Sequence, residues 1–326
     1  MANESRLIVL TAAARSTALT SKQFADLTAV PPEAEWFANL DSAQTRRAYK
    51  NDIREFMHFA GIERPEQFRE IVRAHVLAWR KTLEDKGLAA STLRRKLAAL
   101  SSLYEYMCDR NAVASNPVKG VKRPKVETQE GKTPALGDHQ ARRLLDAPDP
   151  TTLKGKRDRA ILSVLLFHAL RREELCTLKV KDIHERRGVK HLRVHGKGGK
   201  LRYVPLHPHA AGLIDDYLLA NGHGSDAGGA MFRPVRNNVT SSLEGALTPQ
   251  SVYADVVRRY MTAIGVTGER MGPHALRATA ATNALDHEAD IAKVQEWLGH
   301  ANIATTLIYD RRKTRPEDSP TFKVRY

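Results

Sequence analysis

Near its C-terminal end the chain reads Gly272-Pro273-His274-Ala275-Leu276-Arg277, then Leu298-Gly299-His300, then Thr305-Thr306-Leu307-Ile308-Tyr309. His274 and Arg277 stand three residues apart, so on a helix they share one face. His300 follows a glycine that reads as a helix C-cap. Two histidines, an arginine and a phenol at these offsets suit chemistry at a phosphodiester. The cation binds the anion, imidazole moves protons, and a phenol is a competent nucleophile.

Working upstream, a strongly apolar segment from about Lys156 to Ala169 reads as a buried helix, carrying Ile161, Leu162, Val164, Leu165 and Leu166. It runs into the polar break Ala169-Leu170-Arg171-Arg172-Glu173-Glu174-Leu175. Alone, Arg171 and Glu174 read as a surface ion pair worth little. Leu192–His195 and Leu201–Leu206 alternate like two strands, joined by the turn Gly196-Lys197-Gly198-Gly199. A lysine in such a turn is ordinarily just solvated, but the glycines let the turn approach a ligand closely. Helices are expected at about Ala210–Ala220 and Pro249–Ile264, and onward to Tyr309, with Asp138 capping another through Leu145.

The N-terminal half is helical in pattern from Trp36. Ser42 caps a helix with Ala48, Ile53, Phe56, Met57 and Phe59 inward, ending near Gly61, and Arg46, Arg47 and Lys50 on the other side. A second helix, Arg73 to Lys86, turns in Val76, Leu77, Trp79 and Leu83. Ser91 caps a third, with an apolar stripe from Leu93 to Met107 and a basic one of Arg94, Arg95 and Lys96. After Pro117 the composition shifts: Lys119, Lys122, Arg123, Lys125 and Lys132 occur with almost no apolar period, which reads as an exposed basic linker. The expected layout is an extension over 1–30, a helical domain over 31–117, a linker over 118–133, and a second domain over 134–326.

Composition points the same way. The 326 residues favour two domains, and 52 Lys plus Arg against 37 Asp plus Glu give a net charge of +15. That excess favours a polyanionic partner, and basic clusters on successive helices suit a phosphate-tracking surface. Cys108 and Cys176 have no metal-type spacing, no H-E-x-x-H occurs, and no carboxylate cluster for two-metal catalysis is apparent. The apolar run Leu7–Leu10 is too short for a signal peptide, and no run approaches a membrane span, so a cytoplasmic protein is expected.

Taken in order, Ala-Leu-Arg-x-x-Glu-Leu, Gly-Lys-Gly, Pro-His-x-Leu-Arg, Leu-Gly-His and Thr-Thr-x-x-Tyr closely resemble the signature of the tyrosine recombinase (phage integrase) family. The resemblance runs from about Trp36 to Tyr309, and the short segment before it suggests the simpler Xer-like or mobile-element type. It implies a catalytic set of Arg171, Lys197, His274, Arg277, His300 and the nucleophile Tyr309, with Glu174 supporting Arg171. Lys197 would be the general acid, His274 the acid/base partner of the tyrosine, and His300 a phosphate donor. Arg172-Glu173 and Ala278 depart from the family's usual residues without touching that set.

The implied fold is mainly α with a small β-sheet: an all-helical, SAM-like core-binding domain and a mixed α+β catalytic domain, closing on DNA as a C-shaped clamp. The implied partners are double-stranded recombination sites and three further copies, held through the C-terminal tail that ends in Phe322, Val324 and Tyr326. Strand exchange would run through a 3′-phosphotyrosine and a Holliday junction, with no metal, ATP or other cofactor. Arg46, Arg47, Lys50, Arg94, Arg95, Lys96, Lys122, Arg123, Lys125, Lys200 and Arg202 are the expected DNA contacts. Two alternatives share these features: a type IB-like topoisomerase, and a DNA-binding protein that has lost catalysis.

Overall fold

The computed structural model describes residues 32–40, 42–125, 133–196, 199–236, 242–268, 270–310, 321 and 324. The chain forms two compact units, residues 1–127 and 128–326.

The first unit is helical: α1 (Pro32–Ala38), α2 (Ala43–Ala60), a 3₁₀ turn (Pro65–Glu70), α3 (Arg73–Asp85) and α4 (Ala90–Asp109). Ser42 caps α2 by accepting from the Thr45 amide at 3.4 Å, and Gly61 ends it in the left-handed conformation at φ 69°. Phe56 meets Trp79 edge-on at 5.0 Å, inside a core with Val76, Leu83, Leu93, Leu97 and Leu100. Burying each such side chain contributes roughly 1.5–3 kcal/mol. The α4 helix starts at Ala90 with Ala89 as N-cap, so Ser91 lies inside the first turn and caps nothing. Phe59 and Leu77, expected inward, are exposed. Leu77 follows the buried Val76 by one residue, which carries it about 100° around the helix, off the core stripe.

Two expectations are corrected here. Lys96 is not on an outer basic stripe. It sits three residues after Leu93 and four before Leu100, on the core side, where its Nζ pairs with Asp52 at 3.2 Å and with Glu55 at 2.5 Å. Its neighbour Arg95 is exposed but also pairs with Asp52. The stretch expected as an open linker begins as part of this unit. Val118 and Val121 are buried in its core, Arg80 donates to the Lys122 carbonyl at 2.9 Å, and Arg94 donates to the Pro124 carbonyl at 3.3 Å.

The second unit contains α5 (Asp138–Asp146), α6 (Leu153–His168), α7 (Arg172–Thr177), β1 (Ile183–Arg186), β2 (Val189–His195), β3 (Leu201–Pro205) and α8 (Pro208–Asn221). A three-part helix follows, α9: Pro249–Ser251, a π-helical stretch Val252–Arg258, and Arg259–Ala263. It is followed by α10 (Pro273–Asp286), α11 (Ile291–Leu298) and α12 (Ala304–Leu307). The α6 helix is buried almost all round, as its unbroken apolar run requires, with α8 and α10 packed against it. Asp138 opens α5 but Gly137 is the N-cap residue.

The sheet is antiparallel in the order β1-β2-β3. Its register pairs Leu192 with Val204 and Val194 with Arg202. Strand periodicity then places Leu192, Val194, Arg202 and Val204 on the core face. The fold is therefore mainly α with a small sheet. No helix among the described residues is long and apolar enough to cross a membrane.

Candidate active site

Arg171 sits at the N-cap of α7, where the chain leaves α6. Glu174, one turn on, accepts from the Arg171 amide at 2.9 Å and from Arg171 Nη1 at 2.8 Å. This ion pair is not the solvated surface pair the local sequence suggests, because Glu174 is only 4% exposed. Its burial opposes ionisation. Hydrogen bonds from Arg202 and from the Arg171 amide outweigh that and hold the carboxyl below its usual range.

Arg277 lies one turn into α10 and is 1% exposed. Its guanidinium donates to the Ala169 carbonyl, where α6 ends with a left-handed alanine, and to the Leu298 carbonyl at the end of α11. A cation is favoured at two helix C-termini. The same group therefore holds the scaffold together and faces the site. Burial and the neighbouring charge of Arg171 lower its pKa, yet it remains a cation at neutral pH.

Arg171, His274 and Arg277 line one cleft of about 580 Å³ with Arg172, Tyr253 and Arg270. Gly272 caps α10 beside it, and a Cβ there would stand 3.0 Å from the Tyr253 ring, so a larger residue would press that ring away from the backbone. His274 keeps an exposed edge, but desolvation by the cleft walls lowers its pKa and the charges of Arg277 and Arg171 lower it further, which favours a neutral imidazole. A cavity of about 650 Å³ in the first unit, lined by Trp36, Ile53, Met57 and Leu103, contains none of these groups.

His300 and Tyr309 stand behind Arg277 rather than on that cleft. His300 Nε2 is 3.0 Å from Arg277 Nη2, and His300 Nδ1 is 3.0 Å from Thr306 Oγ1. Burial, then the charges of Arg277 and Arg171, push the His300 pKa down to about 4. The Tyr309 ring lies roughly parallel to that of His300, with centroids 6.1 Å apart, and is 4% exposed among Ala278, Ala281 and Leu298. Burial raises the phenol pKa, and the charges of Arg277 and Arg171 with a hydrogen bond from Arg277 work against that rise.

Of the six expected catalytic positions, five are thus gathered around Arg277. The sixth, Lys197, lies outside the described residues, between β2 and β3 in sequence. Among the expected DNA contacts, Arg47, Arg94, Arg95, Lys122, Arg123, Lys125 and Lys200 are exposed, and Arg46 and Lys50 partly so. Arg202 is corrected. It is turned inward, its two Nη atoms 3.0 and 2.8 Å from the two oxygens of Glu174. Thr306 and Tyr253 were not anticipated. Thr306 was visible only as part of the Thr-Thr-x-x-Tyr motif, and nothing in the local sequence marks Tyr253. Among the described residues no group of His, Cys, Asp and Glu is arranged to hold a metal ion.

Residues 135–315 match the phage integrase family, and residues 36–111 match the phage integrase N-terminal SAM-like domain. The chain belongs to the phage integrase family. Within it, the chain is 33% identical over 278 residues to tyrosine recombinase XerC of Thermodesulfovibrio yellowstonii, a match covering 82% of this chain and 86% of the relative. It is 32% identical over 280 residues to tyrosine recombinase XerD of Pseudomonas aeruginosa, covering 85% and 89%. In fold it is similar to the XerH site-specific recombinase bound to a palindromic difH substrate, with TM-score 0.66 and 21% identity over 94% of this chain and 86% of that one. A lambda integrase dimer bound to a COC′ core site is similar at TM-score 0.64 and 16% identity over 95% and 87%. These likenesses extend the integrase fold across both units.

Proposed function

We propose that this integrase-family protein is a site-specific DNA recombinase whose nucleophile is Tyr309. It is an enzyme of strand breakage and rejoining by transesterification. The Tyr309 oxygen attacks the scissile phosphorus, the bond to the 5′ oxygen breaks, and a 3′-phosphotyrosine with a free 5′-hydroxyl results. Arg171 and Arg277 bind the nonbridging oxygens with charge-assisted hydrogen bonds that strengthen as charge builds. His274, neutral at rest, takes the phenol proton. Lys197 gives a proton to the departing 5′ oxygen. Attack by another strand's 5′-hydroxyl reverses the step, and because the bond energy is kept in the phosphotyrosine, no ATP is consumed.

The observation that carries this reading is the shared cleft of Arg171, His274 and Arg277, with Tyr309 hydrogen-bonded to Arg277 from behind. Arg171 and Arg202 share the one buried carboxylate of Glu174 and Arg277 adds a further cation, so the site keeps net positive charge for an anion. His300 takes a different part from the phosphate donor the resemblance implies. Its Nε2 accepts from Arg277, and it serves as a support for that arginine. Arg47, Lys122, Arg123, Lys125 and Lys200 supply phosphate contacts along the duplex.

The deciding experiment is covalent capture on a nicked suicide duplex, from which the 5′ fragment diffuses away after cleavage. Wild type forms a protein–DNA adduct, and Tyr309→Phe binds the duplex but forms none. An adduct with the phenylalanine variant would assign the nucleophile elsewhere. Strand exchange on a mobile element or replicon would proceed in a homotetramer, through a Holliday junction. The tail that would link the copies lies almost wholly outside the described residues. Its case rests on the apolar Phe322, Val324 and Tyr326 in a polar, basic segment. Deleting 318–326 is expected to weaken pairing of two sites and spare binding to one.

A further inference from the structure

We propose that Arg202 is a positioning residue of the active site. It neutralises Glu174 so that the charge of Arg171 stays available to the scissile phosphate. The inference rests on the recombinase reading above and adds a residue to its machinery.

Arg202 is placed for this by strand geometry. It shares the core face of the sheet with Leu192, Val194 and Val204, directly opposite Val194. Its fork meets the Glu174 carboxylate bidentately, at 3.0 and 2.8 Å. Glu174 then accepts four hydrogen bonds, two from Arg202 and two from Arg171, which matches the lone-pair capacity of a carboxylate. The guanidinium also lies against two glycines. A Cβ at Gly299 would stand 3.4 Å from Arg202 Nη1, and one at Gly196 would stand 3.5 Å from it. One side chain thus ties together the β2–β3 pair, the helix that Arg171 caps, and the end of α11 next to His300.

The division of labour on Glu174 is the telling feature. Arg202 engages both oxygens through both Nη atoms, whereas Arg171 gives a single side-chain bond, through Nη1. Two guanidinium charges against one carboxylate leave one positive charge over. The geometry puts that surplus on Arg171, which lines the cleft with its side chain 36% exposed, and not on Arg202, at 16%. Without Arg202, the buried carboxylate would face Arg171 alone. It would draw that guanidinium inward and cancel its charge. A direct contact of Arg202 with DNA is poorly served by the same geometry. Each Nη commits one of its two hydrogens to Glu174, the side chain is only 16% exposed, and Nε is buried with no hydrogen-bond partner among the described residues.

The test uses the full-length protein and a suicide duplex carrying a core site that wild type selects from random-sequence DNA. Affinity, its salt dependence and the single-turnover cleavage rate at saturating protein are measured for wild type, Arg202→Met, Arg202→Lys and the double variant Glu174→Gln/Arg202→Met. Arg202→Met should cleave on the order of 10- to 100-fold slower while its affinity and salt slope match wild type. Arg202→Lys, lacking the fork, should stay slow. The double variant should be faster than Arg202→Met, because a neutral amide at 174 no longer cancels Arg171. That recovery separates positioning from a loss of folding.

Cleavage by Arg202→Met at the wild-type rate would overturn the proposal. So would a salt slope reduced by about one, which marks a phosphate that has given up its cationic partner. A double variant no faster than Arg202→Met would overturn it as well. Failure of wild type itself to form an adduct through Tyr309 would instead overturn the recombinase reading.

Discussion

Arg277 Nη2 lies 3.0 Å from His300 Nε2, and only one tautomer of the imidazole is compatible with that contact. A guanidinium nitrogen is a donor without acceptor capacity, so Nε2 must carry the lone pair and Nδ1 the proton. The proton on Nδ1 then donates to Thr306 Oγ1 at 3.0 Å. A ring pKa pushed down to about 4 agrees, since a doubly protonated ring could not accept from Arg277. Thr306 therefore fixes the tautomer that supports Arg277. Thr306→Val, which keeps the shape and loses the hydroxyl, should slow covalent capture about tenfold, and Thr306→Ser should stay within about twofold. Equal rates for the valine variant and wild type would separate the tautomer from catalysis.

Arg277 has two duties that substitutions can separate. It caps the carbonyl ends of α6 and α11, and it lines the cleft. Arg277→Ala removes both, so unfolding free energy should fall by about 2–3 kcal/mol and the capture rate by on the order of 10²–10³. Arg277→Lys keeps a charge, but an ammonium lacks the planar fork that spans both carbonyls and the phosphate. It should recover part of the stability and little of the rate. Urea titration and single-turnover capture measure the two effects on the same preparations.

How much of this was legible in sequence depends on whether a residue's role is local. The six-position signature was readable because order and spacing survive without a fold. The core stripes of α2 and α4 followed from helical periodicity. Arg202 and Lys96 depart from expectation for one shared reason: their charge predicts an outward face, while their periodicity predicts an inward one. Arg202 has the parity of Val204, and Lys96 has the helical phase of Leu93 and Leu100, so both inward directions were already encoded. The short β1 strand and the π-helical turn of α9 carry no comparable local pattern. The seating of His300 and Tyr309 behind Arg277 depends on α10, α11 and α12 meeting, and no local pattern encodes that.

Buried histidines make stability depend on pH. His168 is 1% exposed, accepts from the His207 amide at 2.9 Å, and has its pKa pushed down to about 4, by burial first. Between about pH 6.5 and pH 4 the unfolded chain takes up a proton there that the folded chain does not. Unfolding free energy must therefore fall as pH falls through that window, with the full contribution present above it. For His168 this amounts to on the order of 3 kcal/mol. His300 has the same sign. His168→Gln, an uncharged side chain that retains an acceptor, should flatten the pH dependence of the melting temperature between pH 6.5 and 4. An unchanged slope in that variant would show that His168 protonates freely in the folded state.

Lys96 and the pair Lys122 and Arg123 carry the same charge and should fail in opposite ways. Lys96 is buried between Asp52 and Glu55, so Lys96→Ala leaves Asp52 in the core with Arg95 as its remaining partner. Breaking a buried ion pair from one side costs on the order of 3 kcal/mol, because the abandoned charge keeps its desolvation penalty. The variant should melt lower yet bind DNA, below its melting range, with the wild-type salt slope. Lys122 and Arg123 are exposed, so replacing both with alanine should leave the melting temperature unchanged. The same double replacement should lower the slope of log affinity against log salt by about two, one for each phosphate that is no longer neutralised. A reduced slope for Lys96→Ala, or an unchanged one for the double replacement, would redraw the DNA-facing surface of the helical unit.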